Sequence, residues 1–249
     1  MSVAMIGHGH APDGRRGHRP VHFDSASTMS ARRACAYCGT FGKTEKEHVI
    51  PRCLYPHSKA NSRVQRIRVP SCRRCNAGWA DDEAHFRNVL AVAGETNQAV
   101  RELWTTTIAR SFRELDGLRR LTDLLAQMTQ VETEGEPRYM IHPGRDPRVL
   151  CVIRKIVRGL AHHHDIGTAI ADERVWADVL TFQIPDKLMR ELSLRHAEQD
   201  IVEYYFEPSS VPPVRSTWFL RFFERTPFVA LVWQPGLNEA ERLALLATP

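Results

Sequence analysis

The chain has 249 residues, of which 43% are hydrophobic and 25% are charged, and its formal net charge is +5. This composition is typical of a globular protein with one large domain or two modest ones. No apolar run approaches the roughly 18–20 residues that span a bilayer, and the N-terminal residues lack the apolar core of a signal peptide. We therefore expect no membrane association and a cytoplasmic location.

The positive charge is concentrated in one part of the chain. Residues 31–90 contain 12 Lys or Arg against five Asp or Glu, whereas residues 91–249 contain 19 against 22. Such a basic segment is the electrostatic pattern of a surface that meets phosphates, so nucleic acid is the expected partner. The alternative is an ordinary solvated surface whose charges cluster by chance.

The predicted elements begin after a segment without structure. Residues 1–30 have few aliphatic side chains and several Gly, Pro, His and Ser, which predicts disorder. A first strand is predicted to end over residues 47–50, before Pro51, and a second covers residues 64–69, where Val and Ile alternate with polar residues. A helix follows, because Phe86, Val89 and Leu90 form an apolar stripe and acidic residues occupy its first turn.

The rest of the chain, residues 96–249, is predicted to form a second α+β domain. Helical spacing of apolar residues predicts helices over residues 99–115, 118–128, 147–162 and 237–246. Strand patterns predict strands over residues 201–206, 217–223 and 228–233, the last two forming a hairpin. The third of these helices carries Arg154, Lys155 and Arg158 among aliphatic residues, which indicates one buried and one basic face.

Four cysteines form two CxxC pairs with 33 residues between the pairs: Cys35, Cys38, Cys72 and Cys75. In a reducing compartment such pairs bind metal and do not form disulfides. Four thiolates make a closed tetrahedral site, so the predicted ion is a structural zinc without a catalytic role. An iron–sulfur cluster, or disulfides formed during isolation, are the alternatives. Cys53 and Cys151 are expected to be small buried hydrophobic residues.

Three residues between and beside the cysteine pairs have the chemistry of a phosphodiester-cleaving site. His48 is the candidate general base, because a neutral imidazole can deprotonate water when its other nitrogen is held by an acceptor. Glu47 and Asn76 offer the hard oxygens that Mg²⁺ or Mn²⁺ prefers. The alternatives are a packed histidine, a surface carboxylate and an asparagine that caps a helix.

The pattern CAYCG…EHVIPR…VPSCRRCN resembles the zinc-stapled HNH endonucleases over about residues 33–90. The resemblance implies a ββα-metal finger, treble-clef-like, within residues 31–95 of an α+β protein. It also implies that His48 is the base, Glu47 the acidic ligand of a divalent cation, and Asn76 the final ligand. Three residues of the following helix are candidates for a further ligand: Asp82, Glu83 and His85. The alternative is that they form an ordinary solvated helix surface.

Five arginines are the candidate phosphate contacts: Arg63, Arg66, Arg68, Arg73 and Arg74. They would position the nucleic-acid backbone without selecting sequence. Residues 96–249 are expected to select the substrate or a partner, either a regulatory protein or a second copy of the chain. The resemblance implies cleavage of DNA in a restriction or anti-phage role.

Two other functions remain open. The first is a zinc-finger module that binds nucleic acid or a partner without catalysis. It is supported by the missing middle Asn of the HNH pattern and by Glu where Asp is usual. The second is a toxin-like nuclease that cuts RNA, because phosphate chemistry does not itself distinguish the sugar. The run His162-His163-His164 is predicted to mark a helix C-terminus and not a metal site, because adjacent helical residues point in different directions.

Overall fold

A computed structural model describes residues 32–59, 66–93, 97–132, 134–136, 138–181, 193–198 and 200–247. The predicted disorder of residues 1–30 and the first part of the second predicted strand lie outside the described residues. The fold is mixed α+β, as the sequence predicts, with three antiparallel sheets and several helices.

The first sheet has three strands in the order β1-β2-β3: β1 (Arg32–Ala34), β2 (Phe41–His48) and β3 (Arg68–Cys72). In the β2–β3 pair Thr44 lies opposite Cys72 and His48 lies opposite Arg68. Two helices follow directly, α1 (Arg73–Ala77) and α2 (Ala80–Val92). The predicted order of strand, strand and helix is confirmed, and the second strand is found later in the chain than predicted.

The next helical region is interrupted, whereas the sequence predicts one helix over residues 99–115. It consists of α3 (Gln98–Leu103), a π-helical turn (Trp104–Ile108) and α4 (Ala109–Ser111). The hydroxyls of Thr105 and Thr106 donate hydrogen bonds to the carbonyl of Glu102. Such bonds compete with the regular backbone ladder and favour irregular turns.

The remaining elements form two more sheets and three helices. The helices are α5 (Gly117–Ala126), α6 (Pro147–His163) and α7 (Glu239–Ala247), close to the predicted bounds. A two-stranded sheet pairs β4 (Met128–Val131) with β5 (Arg138–Ile141). The five-stranded sheet has the order β6-β10-β9-β8-β7, with β6 (Val175–Val179), β7 (Ser193–Glu198), β8 (Val202–Pro208), β9 (Val214–Phe222) and β10 (Thr226–Trp233). Strands β8, β9 and β10 and the β9–β10 hairpin were predicted; β4 to β7 were not.

The N-terminal and C-terminal segments share one hydrophobic core. The ring of Phe86 from α2 packs edge-on against Phe222 of β9, with ring centroids 5.2 Å apart. Helix α6 packs against α2, β3 and β6. It approaches the end of β2 so closely that a Cβ atom on Gly159 would lie 2.9 Å from the side chain of Val49. Buried contacts therefore cross residue 95. The domain boundary predicted there stays a prediction.

Candidate metal centre and candidate active site

Four thiols converge where β3 meets α1. The Sγ atoms of all four cysteines of the CxxC pairs lie within 4.8 Å of one another: Cys35, Cys38, Cys72 and Cys75. The Sγ atoms of Cys38 and Cys72 are 3.8 Å apart. Tetrahedral zinc with Zn–S bonds of about 2.3 Å places its sulfurs about 3.8 Å apart. The four cysteines are therefore positioned to hold a metal ion, and their number and spacing fit structural zinc.

The first cysteine pair is shaped by a glycine turn and held by the chain that follows α6. The N–H of Gly39 donates to the carbonyl of Cys35 at 2.9 Å, and Gly39 adopts φ of +73°, a conformation that glycine reaches without steric cost. The backbone N–H of Cys72 points at the Sγ of Cys35 at 3.4 Å. The N–H of Ala169 donates to the carbonyl of Ala36 at 2.9 Å. The candidate metal centre is thus buttressed by residues outside the predicted finger.

Two of the thiols differ in their affinity for a proton. Hydrogen bonding with the hydroxyl and backbone of Thr40 lowers the pKa of Cys38 to about 6. Burial, together with hydrogen bonding to Cys72, raises the pKa of Cys75. Because the thiolate is the ligand, metal binding would displace the proton of Cys75.

Glu47 lies near the end of β2 and is bound to a lysine from α6. The Nζ atom of Lys155 donates to Oε1 of Glu47 at 2.5 Å and also to Oε1 of Glu83, from α2. The side chain of Lys155 is fully buried, and those of Glu47 and Glu83 are 13% and 17% exposed. Burial raises the pKa of Glu83, and the charge of Lys155 acts in the opposite direction. Three elements therefore meet in one buried ionic cluster.

Asn76, the other predicted ligand from the HNH pattern, points to a different partner. Its Nδ2 atom donates to Oε2 of Glu45 at 2.7 Å. Glu45 and Glu47 are two residues apart on β2, so they share a face about 7 Å apart. Glu47 and Asn76 are thus committed to separate partners, and as arranged they do not fit one divalent cation.

The candidate ligands on α2 are also engaged by protein groups. Asp82 accepts a hydrogen bond from Nε of Arg148 at 2.7 Å. The Nε2 atom of His85 lies 2.5 Å from Oδ2 of Asp146, and both residues are buried. Asp146 also caps the N-terminus of α6. The divalent cation at these residues stays a prediction.

His48 lies at the end of β2 among arginines. Burial, followed by the charges of Arg52, Arg68 and Arg66, lowers the pKa of His48 to about 4. The ring is therefore neutral at pH 7. Its Nδ1 atom is buried and has no hydrogen-bond partner among the residues that the structure describes. The neutral imidazole of the prediction is present, but the acceptor that would orient it is not found in the described part of the chain.

The candidate phosphate contacts divide into three groups. Arg68, Arg73 and Arg74 are exposed. Arg66 lies over the ring of Tyr55, 3.9 Å from its centroid, and donates to a backbone carbonyl, so part of its hydrogen-bonding capacity is used within the fold. Arg63 lies outside the described residues.

The buried cations of α6 were not predicted from the sequence. The prediction that the three cations of this helix form an exposed basic face is wrong for two of them. Lys155 is fully buried and Arg158 is 9% exposed. Arg158 donates to the carbonyls of Ile170 and Tyr37. A signal was available: Lys155 follows Val152 by three residues, so helical spacing places it beside the buried stripe.

Two of the three consecutive histidines contact different hydroxyl groups. The Nδ1 atom of His162 lies 3.1 Å from the hydroxyl of Thr168, and Nε2 of His164 lies 3.1 Å from the hydroxyl of Tyr204. Helix α6 ends at His163. The predicted helix C-terminus is confirmed, and within the described ranges the cysteine cluster is the one group that the geometry marks as a metal site.

Comparisons with known proteins returned nothing: no family model, no curated protein and no solved structure matches this chain. Among the residues that the structure describes, no helix has both the length and the apolarity needed to cross a membrane.

Proposed function

We propose that this protein is a zinc-stapled nuclease of the HNH type that hydrolyses phosphodiester bonds of DNA, with His48 as the general base. The observation that carries the proposal is the position of His48. It stands at the end of β2, which pairs with the strand β3 that ends at Cys72 of the four-thiol cluster. It is neutral at pH 7, and arginines surround it. A restriction or anti-phage role follows from the sequence resemblance alone.

The arginines near His48 give it the surroundings that a phosphodiester requires. Exposed Arg52 and Arg68 would attract the phosphate, and their charges are among the causes that depress the pKa of His48. A bound phosphate would offset those charges and raise the pKa of the imidazole toward the range in which a base works best. Substrate binding would thus activate the base. In this account His48 takes the proton of the attacking water.

The test is incubation of the purified, zinc-loaded protein with supercoiled plasmid in Mg²⁺, Mn²⁺ or EDTA, with zinc content checked after each arm. We expect nicking that falls by roughly 10²–10⁴-fold in His48→Ala, the usual contribution of a general base. His57→Ala is the matched control, because His57 is an exposed histidine in a nearby turn. Full activity in His48→Ala would show that His48 is not the base. A parallel digestion of RNA decides whether the substrate is DNA.

A second function, a zinc-finger module that binds nucleic acid without cleaving it, is favoured by two observations. Nδ1 of His48 has no acceptor within the described residues, and Glu47 and Asn76 are bound to other side chains. A folded, zinc-loaded protein that retards DNA in a gel but leaves the plasmid intact under all three conditions would support this function over the nuclease.

A further inference from the structure

The cluster around Lys155 already contains a cation. Its Nζ atom donates to the carboxylates of Glu47 and Glu83, and it lies 5.6 Å from the ring centroid of Trp79. The lysine comes from α6, Glu47 from β2 and Glu83 from α2. Three separate elements therefore meet at this ammonium group, which is fully buried.

The chemistry of this cluster suits an ammonium group better than a divalent ion. Mg²⁺ and Mn²⁺ bind oxygen donors in a defined coordination shell, usually with several waters among them. An ammonium group, in contrast, donates to carboxylates and is attracted to the face of a tryptophan. Lys155 uses both kinds of partner in Glu47, Glu83 and Trp79.

The lysine also opposes a divalent ion by charge. An ion bound by Glu47 and Glu83 would lie within a few ångströms of the ammonium, in a site shielded from water where repulsion is strong. The two carboxylates are partly neutralised before any ion arrives. Lys155 cannot move aside into solvent easily, because it lies in the middle of α6 and is 0% exposed.

We propose that the ammonium group of Lys155 replaces the divalent cation of this site and excludes Mg²⁺ and Mn²⁺ from Glu47 and Glu83. The inference rests on the proposed function, because a nuclease site of the HNH type is what calls for a cation at Glu47. In this protein the side chain of Lys155 supplies that positive charge and fixes Glu47 in place.

The test measures Mn²⁺ binding to the zinc-loaded protein by electron paramagnetic resonance, without substrate. We expect Lys155→Met to bind one Mn²⁺ at these carboxylates about 10- to 100-fold more tightly than the wild type does. The wild type should show no Mn²⁺ bound there at about 1 mM metal. The double variant Lys155→Met/Glu83→Gln should lose that gain. Arg154→Met is the control, because it removes a cation from the same helix, one bound to Asp172 at the surface.

Two results would overturn the inference. One is Mn²⁺ bound by the wild type and lost in Glu83→Gln, since the carboxylates would then accept a metal beside Lys155. The other is a Lys155→Met variant that binds Mn²⁺ no better than Arg154→Met. If Lys155→Met does not fold without metal, its melting temperature should recover in Mn²⁺ but not in the double variant. A failure to recover also contradicts the inference.

This test is separable from that of the nuclease. Cleavage that depends on His48, together with Mn²⁺ binding by the wild type, rejects the role of Lys155 and keeps the nuclease. If the protein does not cleave DNA but Lys155→Met gains Mn²⁺ binding as expected, the nuclease is rejected. The inference that Lys155 occupies the cation position is then kept.

Discussion

Two clusters lie along the β2–β3 pair, and they differ in the source of their positive charge. The four-thiol cluster brings together ligands from the two CxxC pairs, and it fits an ion from outside the chain. The cluster of Glu47, Glu83 and Lys155 combines two carboxylates with an ammonium group from a distant helix. Val69, opposite Glu47, and Cys72 are three residues apart on β3, so the clusters are separated by about 10 Å along the strand.

The difference shows why one cluster can be read from the sequence and the other cannot. The ligands of the thiol cluster come in two pairs, each within a CxxC motif that is itself the signal of a metal site. The partners of Lys155 lie 108 and 72 residues away in the chain. Their meeting depends on how α6 packs, which no local motif encodes.

The largest effect is expected from the thiol cluster. Cys72→Ser should abolish zinc binding and unfold the N-terminal sheet, because a structural zinc contributes roughly 10–16 kcal/mol of apparent binding energy in small domains. Zinc content and a circular dichroism melt measure this. Cys151→Ser, on α6 and outside the cluster, should keep both its zinc and its melting temperature. A folded Cys72→Ser protein without zinc would show that the cluster does not hold the fold together.

The second effect concerns the buried ionic cluster. Lys155→Met should lower the free energy of unfolding by about 3–5 kcal/mol, because it leaves two carboxylates buried without their partner. Arg154→Met removes a partly exposed ion pair with Asp172 and should lower the free energy of unfolding by about 0–1 kcal/mol. Urea denaturation of the two variants gives the comparison. Equal losses of unfolding free energy in the two variants would mean that the buried ion pairs of Lys155 stabilise the fold no more than the partly exposed pair of Arg154.

A smaller effect is expected from the pH dependence of stability. Folding lowers the pKa of His48 from 6.5 to about 4. Above pH 6.5 the ring is neutral in both states, so its stabilising contribution is fully present. As the pH falls from 6.5 toward 4, the unfolded chain takes up a proton that the folded protein does not, and this contribution is lost. The melting temperature of the wild type should therefore fall more steeply over this range than that of His48→Gln. Parallel curves would contradict the lowered pKa.

The smallest effect is on nucleic-acid affinity. Arg73→Ala should weaken binding to all DNA sequences alike and reduce the slope of log affinity against log salt by about one. Fluorescence anisotropy over a salt series measures both quantities. Arg119→Ala, which removes an exposed arginine from α5, is the control and should leave the slope unchanged. An unchanged slope in Arg73→Ala would place the nucleic-acid surface elsewhere.

Most of the regular elements followed from local patterns. The helical spacing of apolar residues predicts α6, and Val149, Val152 and Ile156 of this helix are fully buried. The β9–β10 hairpin was predicted from two neighbouring runs rich in apolar and aromatic residues, and Pro227 lies within β10, opposite Arg221, and not in the turn. Strand β6 (Val175–Val179) was missed because five residues give too little periodicity, and its pairing with β10 decides its structure.

The candidate site followed from the sequence only in part. The cysteine motif located the candidate metal centre, and the charge count located the basic segment around His48. The low pKa of His48 depends on burial and on Arg52, Arg66 and Arg68, which the fold brings near it. The partners of Glu47 and Asn76 could not be predicted, because both are side chains brought near by tertiary packing.

The contrast between the two clusters is tested most directly by a crystal structure of the zinc-loaded wild type soaked in MnCl₂, with anomalous data at the zinc and manganese edges. We expect one zinc peak among the four thiols, and Nζ of Lys155 between Glu47 and Glu83 with no manganese there. A manganese peak bound by Glu47 and Glu83, with Lys155 turned away, would contradict it.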